Sequence, residues 1–235
     1  MLTCGVVPRV RFVRVRHPEG IRQLAVLDPR SRETFVRLVA TAAPLVEAAL
    51  PSSVVANRVA EARTEPPFLR LRSWRSERRA FAHRLMELAE RSETLAFADV
   101  RDCYASISPR VVGSAIRELG AGTAARLESF LGSLALGGVR GLPVGPDPSA
   151  VLANAVLLRV DRALARAGIE HLRWVDDVVL ASRGPADAER SLEVLRSALG
   201  EIGLRLNETK TRVVADPTPA LCASTVSGCG GAGVG

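Results

Sequence analysis

The sequence predicts an α+β protein built around a ferredoxin-like sheet. From Thr94 to about Ala215, short apolar segments alternate with amphipathic ones in the order strand, helix, hairpin, helix, strand. This is the order of a split βαβ unit. The 235 residues include 47% hydrophobic and 24% charged residues, a balance typical of a chain with a packed core and not of a disordered one.

The arginine-rich first 92 residues predict a hairpin followed by two helices. Residues 10–16 alternate apolar and basic side chains, which indicates a strand with one basic face, and residues 21–27 form its partner after a turn at 17–20. Ser31 is the expected N-cap of the first helix, since Phe35 and Leu38 follow at helical spacing. Apolar residues four and three apart predict a second helix over 76–91.

The core region contains five predicted strands and three predicted helices. The strands are expected at 95–100, 172–175, 178–181, 204–206 and 211–214, and the helices at 110–119, from Asp147 to Gly168, and from Asp187 to Gly203. Residues 216–235 are rich in Pro, Gly and other small residues, so we expect a disordered tail there.

The formal net charge of +7 favours polyanionic partners. All basic residues except Lys210 are arginines, and an Arg/Ala/Val-rich composition is also what GC-rich coding produces, so charge alone leaves nucleic-acid binding open. The most apolar stretch, 38–56, is interrupted by Pro44, Glu47 and Pro51, and no secretory signal is evident, which predicts a cytoplasmic protein that does not enter membranes. The four cysteines form no CxxC pair, which favours reduced thiols without a role.

Three carboxylates are the strongest candidates for chemistry. Asp176 and Asp177 lie in a turn between apolar strands, and Asp99 ends another strand. Most Asp-Asp pairs are solvated turns, but apolar flanks are unusual for such a turn. If the fold gathers the three carboxylates at one sheet edge, they repel one another until a cation neutralises them, and oxygen ligands without His or Cys select Mg²⁺ or Mn²⁺.

Four segments follow one another in the order of known polymerase motifs. They read FADVRDCYASI (97–107), GLPVGPDPSAVLAN (141–154), WVDD (174–177) and GLRLNETKT (203–211). Together they resemble the reverse transcriptases of bacterial type, those of group II introns, retrons and phage-defence systems. The resemblance implies a right-hand polymerase with fingers and a palm, in which the ferredoxin-like sheet belongs to the palm.

The resemblance also implies a two-metal site. Asp99 and Asp176 would bridge the two ions, the backbone carbonyl of Val100 would bind metal, and Asp177 would support the site or bind metal transiently. Lys210 is at the position of a general acid that protonates the leaving pyrophosphate, and its alternative is an ordinary surface lysine.

Five further residues have an implied role in binding the nucleotide and the template–primer. Tyr104 would lie under the sugar and exclude a 2′-hydroxyl, which predicts DNA synthesis, unless this only tyrosine is simply part of the core. Arg22 and Arg32 would meet the triphosphate, although either could bind template phosphates or be an ordinary surface arginine. Pro143 and Gly145 would form the turn beneath the template–primer base pair.

The implied domains are fingers over residues 1–92 and a palm over 93–215, with an insertion of the fingers between about residues 105 and 140. Family members carry a helical thumb after the palm. Only about 20 small residues follow Val214 here, so we expect a missing thumb that another protein supplies, or a truncated chain.

The expected function is RNA-directed DNA polymerisation with an RNA template, a DNA or RNA primer and deoxynucleotides. The cellular setting would be a retron, an intron or antiviral defence, where an effector protein is another candidate partner. Val144 replaces the family's usual Gln, and Trp174 replaces its usual Tyr or Phe. These departures and the missing thumb favour the alternative, a palm-fold nucleic-acid-binding protein with weak or no catalysis.

Overall fold

The structure is a computed structural model that describes residues 8–17 and 20–218. Its first elements are β1 (Val10–His17), β2 (Gly20–Leu27), α1 (Pro29–Ala49), β3 (Val59–Thr64), β4 (Pro67–Leu71) and α2 (Trp74–Glu90). They are followed by β5 (Thr94–Asp99), α3 (Cys103–Ser106), α4 (Pro109–Glu118), α5 (Ala124–Leu136), α6 (Asp147–Arg166), β6 (His171–Trp174), β7 (Asp177–Ser182), α7 (Pro185–Glu201) and β8 (Arg212–Ala215).

The central sheet has four antiparallel strands in the order β6-β7-β5-β8. Strand β5 pairs with β7 on one side and with β8 on the other, and β6 pairs with β7. Strands β5 and β6 are therefore parallel with β7 between them, and β7 and β8 are parallel with β5 between them. This arrangement is the split βαβ topology, so the predicted ferredoxin-like sheet is confirmed.

Both faces of this sheet are covered. On one face, Ala96 and Val178 pack into the main core with α6 and α7. On the other face, Leu95 and Val179 pack against Phe81 of α2 in a second, smaller cluster. Because β5 and β7 are buried on both faces, they read in the sequence as continuous apolar runs, of which β5 ends in Asp99 and β7 begins with Asp177.

Helix α1 begins three residues earlier than the sequence predicts, and its N-cap is Asp28. The Asp28 carboxylate accepts hydrogen bonds from the backbone N–H of Ser31 at 3.1 Å and from its hydroxyl at 2.5 Å. These bonds hold the pKa of Asp28 below its ordinary value. The expectation of Ser31 as the cap is therefore wrong, because Pro29 sets the first helical residue and Asp28 precedes it.

The predicted β1–β2 hairpin is confirmed, but strand β1 does not have the single basic face that the sequence predicts. Arg14 and Arg16 are an even number of residues apart and share a face, whereas Arg11 lies on the opposite face. Pro18 and Glu19, where the sequence predicts the turn, lie outside the described residues.

Other differences come from elements whose pattern is weak in the sequence. The hairpin of β3 and β4 is not predicted, because Pro66 and Pro67 interrupt it and its residues are only partly buried. Residues 204–206 form no strand; Leu206 makes only an isolated bridge with Val100. Helix α5 was not predicted individually, and α2 and α7 begin two residues earlier than expected.

The predicted tail lies largely outside the described residues, which end at 218. Within the part of the chain that the structure describes, no helix combines the length and the hydropathy of a membrane span.

Candidate active site

A cavity of about 830 Å³ opens above the carboxyl end of β5 and the β6–β7 hairpin. It is lined by residues from both halves of the chain: Arg22, Gln23, Asn57, Leu71, Arg78, Asp102, Cys103, Tyr104, Ala105, Val144, Gly145, Pro146, Asp147, Ala150, Trp174, Val175, Asp176 and Asp177. Residues that are far apart in the sequence therefore meet around one cavity.

The sheet brings the three predicted carboxylates to one edge. Asp99 is the register partner of Asp177 across β5 and β7. The backbone N–H of Val100 donates a hydrogen bond of 3.1 Å to the carbonyl of Asp176. Because the N–H and C=O of one residue in an antiparallel ladder point to the same side, the carbonyl of Val100 also points toward the hairpin.

Asp99 is held by the segment that follows α7. Its carboxylate accepts a hydrogen bond of 2.8 Å from the side-chain amide of Asn207, and its backbone carbonyl accepts one of 2.8 Å from the Asn207 N–H. The Nζ of Lys210 lies 3.7 Å from the second carboxylate oxygen, and the lysine side chain is half exposed. The predicted catalytic lysine thus lies beside the predicted metal-binding aspartate.

The close carboxylates destabilise one another. Burial, then the charge of Asp177 and that of Asp99, raise the pKa of Asp176 to about 6, while Arg22 opposes the rise. Among the residues that the structure describes, no group of three or more His, Cys, Asp and Glu side chains converges as a metal-binding cluster. The chemistry that fits a divalent cation is that of two hard carboxylates whose mutual repulsion a cation would relieve.

Tyr104 lines the cavity and packs against the main core. Burial raises the pKa of its phenol, so the hydroxyl is neutral at physiological pH. Its backbone carbonyl accepts a hydrogen bond of 2.8 Å from the Leu142 N–H. Gly141, at a φ of +64°, has no space for a side chain, because a Cβ there would lie 2.2 Å from the same carbonyl. The glycine therefore allows the 141–145 loop to pack directly on Tyr104.

The two predicted triphosphate arginines lie in different places. Strand β2 is joined to the 143–145 turn by a hydrogen bond of 2.8 Å from the Ala25 N–H to the Val144 carbonyl, and this contact brings Arg22 to the cavity. Arg32 instead lines a separate cavity of about 330 Å³ behind β2. Gly145 contributes to the walls of both cavities.

A buried arginine that sequence reasoning missed supports the carboxylate hairpin. Arg173 is completely buried, and its guanidinium makes two hydrogen bonds of 2.8 Å to the carboxylate of Asp161 on α6. The remaining nitrogen, Nη1, donates to the side-chain oxygen of Asn154 at 3.0 Å and to the carbonyl of Val175 at 2.9 Å. The sequence signal was a charged residue inside the apolar strand that precedes the Asp pair.

The same network reaches the loop before β3. The amide of Asn154 donates to the carbonyl of Ala56 at 3.0 Å, and His171 Nε2 lies 3.2 Å from Asp161. Burial alone would raise the pKa of Asp161, but Arg173 and His171 hold it below the ordinary value. The carboxylate therefore stays ionised inside the protein.

The turn that carries Asp176 has an unfavourable backbone conformation. Val175 has a φ of +57°, in a region that β-branched residues rarely adopt. Such a conformation costs on the order of 1–3 kcal/mol. The hydrogen bond from Arg173 to the Val175 carbonyl holds the turn in place.

The sequence model of the family described as reverse transcriptase (RNA-dependent DNA polymerase) matches residues 51–223, which is more than half of the chain. The chain belongs to the reverse transcriptase family. The matched range contains the three carboxylates, Tyr104 and Lys210, whereas Arg22 and Arg32 precede it.

A solved structure supports the fold of this reverse transcriptase domain. It is the telomerase from Candida albicans in complex with a TWJ fragment of telomeric RNA, with a TM-score of 0.58 and 11% identity. The match covers 88% of this chain and 42% of the telomerase chain, so the chain spans less than half of the telomerase's length. The predicted fold class is thereby confirmed. A search of curated proteins found no match.

Removal of the buried guanidinium will destabilise the fold strongly. Arg173→Met leaves the Asp161 carboxylate buried with only His171 beside it, so we expect the free energy of unfolding to fall by about 3–5 kcal/mol in urea titrations. Arg173→Met combined with Asp161→Leu removes both charges and should regain most of this loss. A double variant as unstable as the single one would mean that the uncompensated charge is not the cause.

The raised pKa of Asp176 predicts a pH-dependent stability. Between about pH 4 and 6 the folded protein retains a proton at Asp176 that the unfolded chain has lost, so this group makes stability fall as pH rises. In EDTA, Asp176→Asn should therefore be more stable than wild type at pH 8, on the order of 1–3 kcal/mol, with no gain near pH 4.

Asp187→Asn is the control for this pH series. Its pKa is lowered by the Arg183 N–H, so its ionised form contributes stability that is lost as pH falls. This variant should lose stability at neutral pH and match wild type in acid. If the free energy of unfolding, measured in urea, depends on pH in the same way for wild type and Asp176→Asn, the raised pKa does not belong to Asp176.

Proposed function

We propose that the protein is an RNA-directed DNA polymerase that adds deoxynucleotides to a primer 3′ end by two-metal nucleotidyl transfer. The observation that carries the proposal is the meeting of Asp176 and Asp177 with Arg22 around one cavity of about 830 Å³, with Asp99 as the register partner of Asp177. Carboxylates opposite an arginine suit a reaction in which metal ions and a triphosphate bind together.

The residues fit divalent cations of the Mg²⁺ class, with Mn²⁺ as the substitute. Asp99 and Asp176 would hold the ions with the Val100 carbonyl, and Asp177 would assist from the neighbouring strand position. When bound, the ions lower the pKa of the primer 3′-hydroxyl and neutralise the triphosphate. Burial and the neighbouring carboxylates raise the pKa of Asp176, which supports this fit, because a bound cation would stabilise the ionised carboxylate and relieve the repulsion.

Asn207 and Lys210 both contact the carboxylate of Asp99. Asn207 holds one oxygen of Asp99 and thereby fixes the orientation of the carboxylate. Lys210 lies within 3.7 Å of the other oxygen, at the edge of the site. From there its ammonium would donate a proton to the departing pyrophosphate as general acid.

The remaining residues select the nucleotide. Arg22 would bind triphosphate oxygens, since a guanidinium pairs well with phosphate. Tyr104 would lie against the sugar and exclude a 2′-hydroxyl, and the 141–145 loop with Pro143 and Gly145 would support the base pair from below. Arg32 lines a separate cavity, so Arg22 is the arginine that would bind the triphosphate.

The partners in this proposal are an RNA template, a DNA or RNA primer and deoxynucleotides, in the cytoplasm. The bacterial-type motifs favour a retron, intron or antiviral-defence setting, with a thumb-supplying or effector protein as a further partner. A second candidate is a palm-fold nucleic-acid-binding protein without catalysis. It is favoured by Val144, whose side chain has no amide and whose backbone carbonyl is engaged by Ala25.

Primer extension tests the polymerase directly. On a labelled DNA primer annealed to an RNA template, with Mg²⁺ and deoxynucleotides, Asp176→Ala should lose at least about 100-fold in rate because a metal-binding carboxylate is removed. Asp187→Ala, a carboxylate outside the cavity, should extend the primer like wild type. Salt-sensitive binding of template–primer without extension in Mg²⁺ or Mn²⁺ would favour the second candidate.

The selection of deoxynucleotides should depend on the Tyr104 ring. Tyr104→Val opens space beside the sugar, so we expect incorporation of ribonucleotides relative to deoxynucleotides to rise by about 10- to 200-fold. Tyr104→Phe keeps the ring and should keep the wild-type ratio. Unchanged selectivity in the valine variant, measured by single-nucleotide extension, would remove Tyr104 from this role.

A further inference from the structure

A second groove adjoins the cavity, and it has an exposed tryptophan on its wall. The groove has a volume of about 580 Å³ and runs along β4 and the start of α2. Trp74, the first residue of α2, is 64% exposed, although indole rings are usually mostly buried. Phe68 contributes a second aromatic ring to the lining.

Arginines lie over both rings. The guanidinium of Arg75 is 5.8 Å from the centre of the Trp74 ring, and that of Arg63 is 4.9 Å from the centre of the Phe68 ring. Flat guanidinium and aromatic groups are the surfaces on which nucleobases stack, and they do so with little dependence on sequence.

The charge around the groove is positive. Arg63 and Arg70 share the single carboxylate of Glu61, at 3.2 and 3.3 Å. Arg58 and Arg72 likewise share Glu47, each at 2.9 Å. Each carboxylate therefore neutralises only one of its two arginines.

The two acidic residues that line the groove, Glu77 and Asp147, reduce this excess without reversing it. The carboxylate of Glu77 is buried and accepts hydrogen bonds from the backbone N–H groups of Asn57 and Arg58. Arg75 adds a further positive charge on the exposed side. This excess of positive charge complements the phosphate backbone of a nucleic acid.

The groove is continuous with the candidate active site. Asn57, Leu71 and Asp147 line both the groove and the larger cavity that contains Asp176. A strand that leaves the cavity on this side therefore passes Trp74 directly.

We infer that this surface, the Trp74 platform (Phe68, Arg70, Arg72, Trp74 and Arg75), binds the unpaired template strand, with a base stacked on the indole of Trp74. That the strand is a template rests on the proposed function, but its binding to the platform requires no catalysis. A single strand is favoured over a duplex, because a duplex hides its base faces and the groove has the size of a small-ligand site.

Binding assays test the platform without nucleotides and in EDTA, so an inactive protein is still informative. Fluorescence anisotropy compares a primer–template with a 5′ template overhang against the blunt duplex of the same paired sequence. Trp74→Ala should weaken binding of the overhang substrate by about 5- to 100-fold and leave the blunt duplex unchanged. Trp74→Phe should stay within a few-fold of wild type, because the ring is retained.

Leu136→Ala is the matched control, since Leu136 is 80% exposed on α5 and outside both the cavity and the groove. It should bind both substrates like wild type. RNA and DNA overhangs are tested in parallel, and a loss with either one supports the platform. Melting temperatures of all variants verify that they are folded.

Three results would overturn the inference. Trp74→Ala could bind the overhang substrate as tightly as Leu136→Ala does, or it could lose affinity equally for the blunt duplex. In the third case, affinity is unchanged, and sedimentation shows that wild type self-associates whereas Trp74→Ala is monomeric. The surface would then be a contact between copies of the chain. If the protein does not extend primers but Trp74→Ala still weakens binding of the overhang substrate, the polymerase proposal is rejected and the binding role of the Trp74 platform stands.

Discussion

The buried ion pair of Arg173 and Asp161 is the interaction on which the candidate site depends. Desolvation of two charges is expensive, and it is tolerated only when the hydrogen-bonding groups find good partners. Here the guanidinium is shared among Asp161 of α6, Asn154 of the same helix and the Val175 carbonyl. One side chain therefore joins helix α6, the edge strand β6 and the carboxylate turn.

This pair also explains how the cavity can hold opposed charges. The anchored turn keeps Asp176 near Asp99, although burial and the charges of Asp177 and Asp99 raise the pKa of Asp176 to about 6. On the opposite wall, the hydrogen bond from Ala25 to Val144 joins β2 to the 141–145 loop and brings Arg22 within electrostatic range of Asp176. The site thus combines a rigid acidic floor with a basic wall, the arrangement required to bind cations and a polyanion together.

Much of this was determined by the sequence itself. Strands β5 and β7 are continuous apolar runs ending or beginning in aspartate, and their order with the helices predicts the split βαβ sheet. The family motifs then indicate Asp99, Asp176, Asp177, Tyr104 and Lys210, and the structure brings the three carboxylates, the lysine and the tyrosine to one region. Local patterns succeed here because each element carries its own apolar signal.

Only the tertiary structure decided the rest, because those features depend on contacts between residues distant in the sequence. Arg32 has the same charge as Arg22 and lies close to it in the sequence, yet the packing of β2 against the 143–145 turn leaves it in a different cavity. The side-chain partners of Arg173 on β6, Asp161 and Asn154, lie on helix α6. The Trp74 platform exists because β3 and β4, which lack a strong strand pattern, pair and adjoin α2. Periodicity reports which face of an element is apolar, and the neighbours of that face are set by the packing of the whole chain.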